Sequence, residues 1–102
     1  MNMESTCDLI NKVMSKDSLG FPTATETKTT VFCKIKSINR NEFFDAGKAG
    51  IVPQYQFSIA AIEYGGQREL EYNGIRYGIY RVYESTDYID LYAEYKGGVS
   101  DG

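Results

Sequence analysis

Residues 69–84, ELEYNGIRYGIYRVYE, decide the fold. Apolar and polar side chains alternate on both sides of Asn73-Gly74, and a period of two is typical of a half-buried β-strand. An Asn-Gly pair between two such runs is the strongest short signal of a β-hairpin. A two-residue turn pairs Glu71 with Arg76, which brings opposite charges together. The sequence therefore predicts two antiparallel strands joined by a tight turn.

A second hairpin follows directly. Residues 78–83 and 88–93 both alternate, and residues 84–87 form a predicted four-residue loop between them. This register places Arg81 opposite Asp90, a second pair of opposite charges. It also places five large side chains on one face of the sheet, Tyr77, Ile79, Tyr83, Tyr88 and Tyr92. Because the other face is apolar as well, we interpret these five residues as a candidate surface for another subunit or a partner.

Earlier segments continue the strand pattern. Val31, Cys33 and Ile35 fall on one face of a strand, and residues 54–62 give the cleanest alternation in the chain. Phe32 interrupts the polar face of the first of these strands. An aromatic side chain at this position needs a cover.

The N-terminal segment is predicted to contain one strand and a loop. Residues 7–14 carry enough apolar side chains for a first strand. Residues 15–27 include Gly20, Pro22 and several Ser and Thr residues, a composition that is typical of a loop. We expect this loop to be mobile.

A short helix is predicted around residues 41–47. Asn39 or Asn41 is suited to cap its N-terminus, and Gly47 or Gly50 is suited to the left-handed conformation that ends a helix. Pro53 closes the segment, because the residue before a proline is driven towards an extended conformation. The helix spans about two turns, which is short enough to need tertiary support.

These elements predict a mainly β protein. About six short strands joined by hairpins, with one short helix and long loops, favour a small antiparallel β-barrel, with a sandwich as the alternative. At 102 residues and 11.5 kDa the chain has room for one core, so residues 1–102 are predicted to form a single domain. Within it, residues 1–28 form the N-terminal strand and mobile loop, and residues 97–102 form a frayed tail.

Composition excludes several functional classes. The chain has no histidine, which removes the commonest general base and metal ligand, and its two cysteines are too few for a disulfide scaffold. No nucleophile motif or phosphate-binding glycine pattern is present, and neighbouring carboxylates such as Glu69 and Glu71 fit a solvated strand face. The sequence therefore predicts no enzyme activity, no cofactor and no metal. It also predicts no membrane association, because no apolar run is long enough to cross a bilayer.

Nucleic-acid binding is the alternative from another functional class. Arg68, Arg76 and Arg81 alternate with tyrosines, as in surfaces that stack single-stranded bases. The formal net charge of −3 counts against this alternative, since such binding depends on clustered basic residues.

Several blocks of the sequence resemble the head-tail connector proteins of tailed bacteriophages. More narrowly, they are similar to the head-closure (stopper, or head-tail joining) proteins of phages that infect Gram-positive hosts. The similarity covers roughly residues 29–97, and Val82, Ala93 and Tyr95 depart from its common pattern. The blocks are VFCK at 31–34, EFFDAG at 42–47, IVP at 51–53, EYNGIRY at 71–77, IYRVY at 79–83 and IDLYAE at 89–94.

The resemblance implies a small β-barrel that assembles into a ring in the virion. Such a ring docks beneath the phage portal and adaptor, closes the DNA-filled head and presents a surface to tail proteins. DNA would only pass through the channel, the free protein is expected to be a monomer, and assembly would take place in the host cytoplasm. A tail-side joining or tail-terminator protein is the runner-up interpretation.

The resemblance also implies a functional loop between early barrel strands. The matching segment is residues 39–53, which would project towards the channel or dock on a neighbouring protein. Its candidate residues are Asn41, Glu42, Phe43, Phe44, Asp45 and Lys48.

Overall fold

The computed structural model describes residues 5–96. Six strands and one α-helix follow one another along the chain. They are β1 (Ser5–Lys16), β2 (Pro22–Ser37), α1 (Arg40–Lys48), β3 (Pro53–Ala60), β4 (Glu69–Tyr72), β5 (Ile75–Glu84) and β6 (Tyr88–Tyr95), with a 3-10 turn at Ala61–Glu63. All strand pairs are antiparallel and close a barrel in the order β1-β2-β3-β6-β5-β4. The predicted fold class is confirmed. The predicted frayed tail, residues 97–102, lies outside the described residues.

The barrel interior is filled by alternate side chains of every strand. Phe57 and Ile59 of β3 are fully buried, as are the leucines that β1, β4 and β6 contribute. The ring of Phe57 meets the ring of Tyr72 edge to face, with centroids 5.6 Å apart. The buried residues that pack together inside the barrel are Cys7, Leu9, Val31, Cys33, Phe57, Ile59, Leu70, Tyr77, Ile89, Leu91 and Ala93.

The Asn73-Gly74 turn forms as the sequence predicts. Asn73 has φ 53° and Gly74 has φ 78°, the two positive values that a type I′ turn requires. Glu71 lies opposite Arg76 in the observed register. Local turn chemistry therefore determines this hairpin.

The second hairpin has a different register from the predicted one. Arg81 lies opposite Tyr92, and Asp90 lies opposite Tyr83, so the predicted pairing of Arg81 with Asp90 is wrong. Two features cause the difference. The hydrogen bond from the Ser85 amide to the Tyr88 carbonyl closes the loop more tightly, and the ladder shifts between Ile79 and Arg81. This irregularity is a β-bulge, which breaks the strict alternation that the sequence interpretation assumed.

The predicted loop at residues 15–27 is also wrong, because most of it is strand. β1 and β2 continue past the barrel as a two-stranded ribbon, and only residues 17–21 connect them. The Asp17 carboxylate accepts hydrogen bonds from the Leu19 and Phe21 amides, both at 2.9 Å, and Gly20 has φ 87°. We call residues 11–27 the arm. Together with the barrel it gives the molecule extents of 50 × 30 × 23 Å.

Two glycine substitutions test the role of backbone conformation in this fold. A Cβ at Gly74 or at Gly47 would meet no atom within 4 Å, but only Gly74 has a positive φ. We expect Gly74→Ala to lower the free energy of unfolding by about 1 kcal/mol, because an L-residue is strained in that conformation. Gly47→Ala, inside α1, should raise it by about 0.5–1 kcal/mol through helix propensity. Urea denaturation of both variants measures the difference, and equal effects would contradict the turn assignment.

Candidate functional site

The five residues of the predicted tyrosine surface do not share one face. Tyr77 is 5% exposed and belongs to the core, and Ile79 packs against that core. Tyr92 is 9% exposed on the outer side of the barrel, Tyr88 is half-buried, and Tyr83 is 59% exposed. The bulge and the shifted register separate side chains that strict alternation would have grouped. Contact of Tyr83 and Tyr88 with a partner stays a prediction.

Glu42 is buried rather than available for docking. Its side chain is 8% exposed, and its carboxylate accepts a hydrogen bond from the Tyr80 hydroxyl at 2.9 Å. The other carboxylate oxygen lies 2.9 Å from Arg81, whose guanidinium stands over the Tyr92 ring at 4.9 Å from its centroid. Burial, followed by the Glu42 carboxylate, raises the pKa of Tyr80. We call Glu42, Tyr80, Arg81 and Tyr92 the helix anchor, because they attach α1 to the barrel.

Local sequence explains why α1 presents Glu42 to the barrel. The Asn39 side chain accepts a hydrogen bond from the Glu42 amide at 2.8 Å and so caps the helix. Glu42 lies in the first turn, where a negative charge interacts favourably with the helix dipole. The bulge in β5 allows two consecutive residues, Tyr80 and Arg81, to reach the same carboxylate.

The opposite side of α1 exposes aromatic side chains. Phe43 is 47% exposed and Phe44 is 61% exposed, and their rings meet edge to face at 76° with centroids 6.4 Å apart. Asp45 and Lys48 form a solvent-exposed ion pair of 3.9 Å on the same helix, and Asn41 is exposed. The predicted docking loop is therefore a helix that displays a phenylalanine pair. We call Phe43 and Phe44 the helix patch.

The arm carries a second exposed apolar group, which sequence reasoning missed. Its members are 54–78% exposed; they are Val13, Met14, Leu19 and Phe21. The signal was present in the alternating threonines at 23, 25, 27 and 29, since β-branched residues at every second position are typical of a strand. The loop interpretation gave more weight to Gly20 and Pro22, which in fact lie at or next to the turn.

A network of charged side chains holds the base of the arm against the barrel. Arg76 is 8% exposed, and its guanidinium lies 3.2 Å from Glu26 of the arm and 3.0 Å from Glu69 of β4. Lysines on the arm side complete the network, at 3.3 Å from Glu69 and 3.0 Å from Glu71. We call this set the arm network; its members are Lys12, Glu26, Lys28, Glu69, Glu71 and Arg76.

The arm network shifts the titration of its carboxylates. The hydrogen bond from Arg76 lowers the pKa of Glu26. Burial alone would raise the pKa of Glu69, but hydrogen bonds from Arg76 and Lys12 outweigh it and lower that pKa. Both carboxylates are therefore stabilised in their charged forms when the protein is folded.

The two cysteines meet inside the barrel. Cys7 and Cys33 lie on adjacent strands and are buried as free thiols. A hydrogen bond with Cys33, together with burial, raises the pKa of the Cys7 thiol. This is the expected behaviour of core cysteines that are shielded from solvent.

Neither a cluster of metal ligands nor a membrane-spanning helix is found in the described part of the chain. Within residues 5–96, no three Cys, Asp or Glu side chains are grouped so that they could hold a metal ion. In the same range, no helix is both long enough and apolar enough to cross a bilayer. Two open clefts of about 340 and 310 Å³ flank the segment 66–68, on the sides of β1 and β5 respectively.

Comparison with known proteins gives no assignment. No protein-family model matches the sequence, and no curated protein matches it significantly.

Removal of one hydroxyl tests the helix anchor. We expect Tyr80→Phe to lower the free energy of unfolding by about 1.5 kcal/mol, because the buried Glu42 carboxylate loses a donor. Tyr83→Phe is the matched control on the same strand, and it should change stability by less than about 0.5 kcal/mol because Tyr83 is exposed. Urea denaturation followed by circular dichroism measures both. An equal loss in the two variants would mean that Glu42 does not depend on Tyr80.

Acid should weaken the arm network. Carboxylates with lowered folded pKa values stabilise the fold above their unfolded pKa of about 4.3, and this contribution is lost as pH falls through the folded values. We therefore expect the urea midpoint to fall as the pH drops below about 4.3, the unfolded pKa of a glutamate. Glu26→Gln should make that fall shallower, since one fewer proton is taken up on unfolding. Glu63→Gln, at an exposed position outside the arm network, should leave the dependence of the urea midpoint on pH unchanged. If Glu26→Gln does not alter that dependence either, the result would count against the arm network.

Proposed function

We propose that this chain is a structural protein of a tailed bacteriophage virion, a head-closure component of the head-tail connector. In this function, copies of the chain form a ring beneath the portal and adaptor and join the DNA-filled head to the tail. The resemblance of residues 29–97 supports the proposal, as does the barrel architecture with a short helix between β2 and β3. The net charge of −3 suits a component that lets DNA pass without binding it.

The helix patch is the observation that carries the proposal. Two phenylalanine rings on one helix expose apolar area that a monomer usually buries. The helix anchor holds this helix against the barrel through the Arg81–Glu42 ion pair and the Tyr80 hydrogen bond. A surface that is rigid before binding loses little conformational entropy when it docks. The helix patch is therefore suited to a partner with a complementary apolar groove, which we take to be the portal–adaptor ring.

A binding experiment with the portal–adaptor complex tests the proposal. The purified protein is mixed with that complex, and the mass is measured by size-exclusion chromatography with light scattering. We expect the complex to gain several copies of the 11.5 kDa chain. Phe44→Asp should abolish this gain, because it places a charge in the docking surface.

The control variant is Ile62→Asp, at a 93% exposed position outside α1. It should bind like the wild type. Circular dichroism verifies that both variants are folded. Binding of wild-type protein to tail tubes rather than to the portal–adaptor complex would move the assignment to a tail-side joining protein. Salt-sensitive binding to single-stranded DNA would support the nucleic-acid alternative instead.

A further inference from the structure

The outer edge of β2 is unpartnered over most of its length. β2 pairs with β1 on one side from Pro22 to Cys33, whereas its pairing with β3 on the other side starts only at Lys34. Within residues 5–96, no strand pairs with this second edge between 22 and 33. An exposed edge of this length is a template for pairing with another chain.

The charges that would protect this edge are neutralised within the chain. The only charged residues between 22 and 33 are Glu26 and Lys28. Glu26 binds Arg76 at 3.2 Å, and Lys28 binds Glu71 at 3.0 Å. The rest of the segment is rich in threonine, which favours β-structure. The edge is therefore close to electrically neutral and well suited to strand pairing.

The edge is also complementary to itself. If two copies pair antiparallel about a two-fold axis at Thr27, Glu26 of each copy lies opposite Lys28 of the other. Both side chains point to the outer face of the sheet, where their partners Arg76 and Glu71 lie. Each Glu26–Lys28 contact between the copies adds to the ion pairs that Glu26 and Lys28 already form with Arg76 and Glu71. Opposite charges on facing strands are stabilising.

Other two-fold registers are worse. A two-fold axis perpendicular to a sheet leaves every side chain on its own face of the sheet. Because directly opposite residues share a face, only registers in which one residue lies opposite its own copy are allowed. Centring on Glu26 places Glu26 opposite its own copy, and centring on Lys28 places two lysines opposite each other. Centring on Thr25 or Thr29 shortens the overlap and loses both Glu–Lys pairs. The register centred on Thr27 uses the whole segment 22–32.

The same register covers an exposed phenylalanine. Phe32 is 67% exposed in the single chain, although an aromatic ring on the outer face calls for a cover. In the Thr27-centred register, Phe32 lies opposite Pro22 of the second copy. The pairing therefore brings apolar side chains together at both ends of the shared edge.

We propose that the β2 edge is a self-association surface, and that two copies of the chain pair their β2 strands antiparallel about Thr27. The two sheets then join into one continuous sheet across the axis. The β2 half of each arm lies beside residues 27–32 of the other copy, so the two arm tips point in opposite directions. This inference does not rest on the proposed function. It replaces the monomer that the family resemblance led us to expect for the free protein.

Cysteine cross-linking tests the register directly. In the proposed dimer the two copies of residue 27 are about 5 Å apart, which is within the reach of a disulfide. Thr27→Cys, treated with diamide as the thiol oxidant, should give a cross-linked dimer on a non-reducing gel. Thr25→Cys is the matched control, since its two copies would be about 13 Å apart and too distant to bridge. The native cysteines are at most 2% exposed and should not contribute.

Solution mass gives the second measurement. We expect light scattering of the wild-type protein to report twice the 11.5 kDa chain mass. Phe32→Glu should give the monomer mass, and Ile62→Glu should stay dimeric. A wild-type monomer at every concentration, or equal cross-linking of Thr27→Cys and Thr25→Cys, would overturn the inference. If Phe32→Glu does not fold, the comparison of Thr27→Cys with Thr25→Cys still tests the inference.

The outcomes also separate this inference from the proposed function. A protein that joins the portal–adaptor complex but never dimerises keeps the function and loses the inference. A protein that dimerises through residue 27 but does not bind that complex supports the inference and contradicts the proposed function.

Discussion

The short β4 strand determines how the rest of the molecule is arranged. It has four residues, and it closes the barrel by pairing with β1 over three positions, with Leu9 opposite Leu70 at the centre. Both leucines are fully buried, so the barrel is closed by a pair of core residues. β1 continues beyond this contact to Lys16 without a partner from β4. The arm exists because its strand is longer than the strand that closes the barrel.

Two arginines on β5 attach the two appendages of the barrel. Arg76 binds carboxylates at the base of the arm, and Arg81 binds the carboxylate of α1. The Arg81 side chain is 55% exposed and the Glu26 side chain is 38% exposed, and ion pairs with a solvent-exposed partner contribute little to stability. These pairs are therefore better explained as devices that fix position than as the main source of stability. They determine where the helix patch and the arm stand relative to the core.

The parts of the fold that were predictable are those that local chemistry determines. Asn73 and Gly74 specify their turn through positive φ values, and Asn39 caps α1 with its own side chain. Both signals act within a few residues, so they can be read from the sequence. The six-strand barrel followed from such signals added along the chain.

The parts that were not predictable depend on contacts between distant residues. The bulge near Tyr80 lies where Glu42, 38 residues away in the sequence, binds two consecutive side chains of β5. Strict alternation placed Arg81 opposite Asp90 because that pairing also satisfied a charge. The observed structure satisfies Arg81 from the helix instead, and Ser58 donates a hydrogen bond to Asp90. A plausible charge pair is therefore weak support for a register when a buried carboxylate elsewhere competes for the same arginine.

The exposed apolar residues of the arm and of α1 are explained by the division of the molecule into a barrel core and two appendages. Inside the barrel, alternation buries the large side chains that face the core almost completely. The arm and α1 are each too thin to have a core of their own, because a two-stranded ribbon or a two-turn helix has no enclosed interior. Apolar residues placed on them, such as Phe21 and Phe44, have nothing within residues 5–96 to cover them. Since such residues do not stabilise the isolated fold, their presence on both appendages is best explained by contacts with other chains.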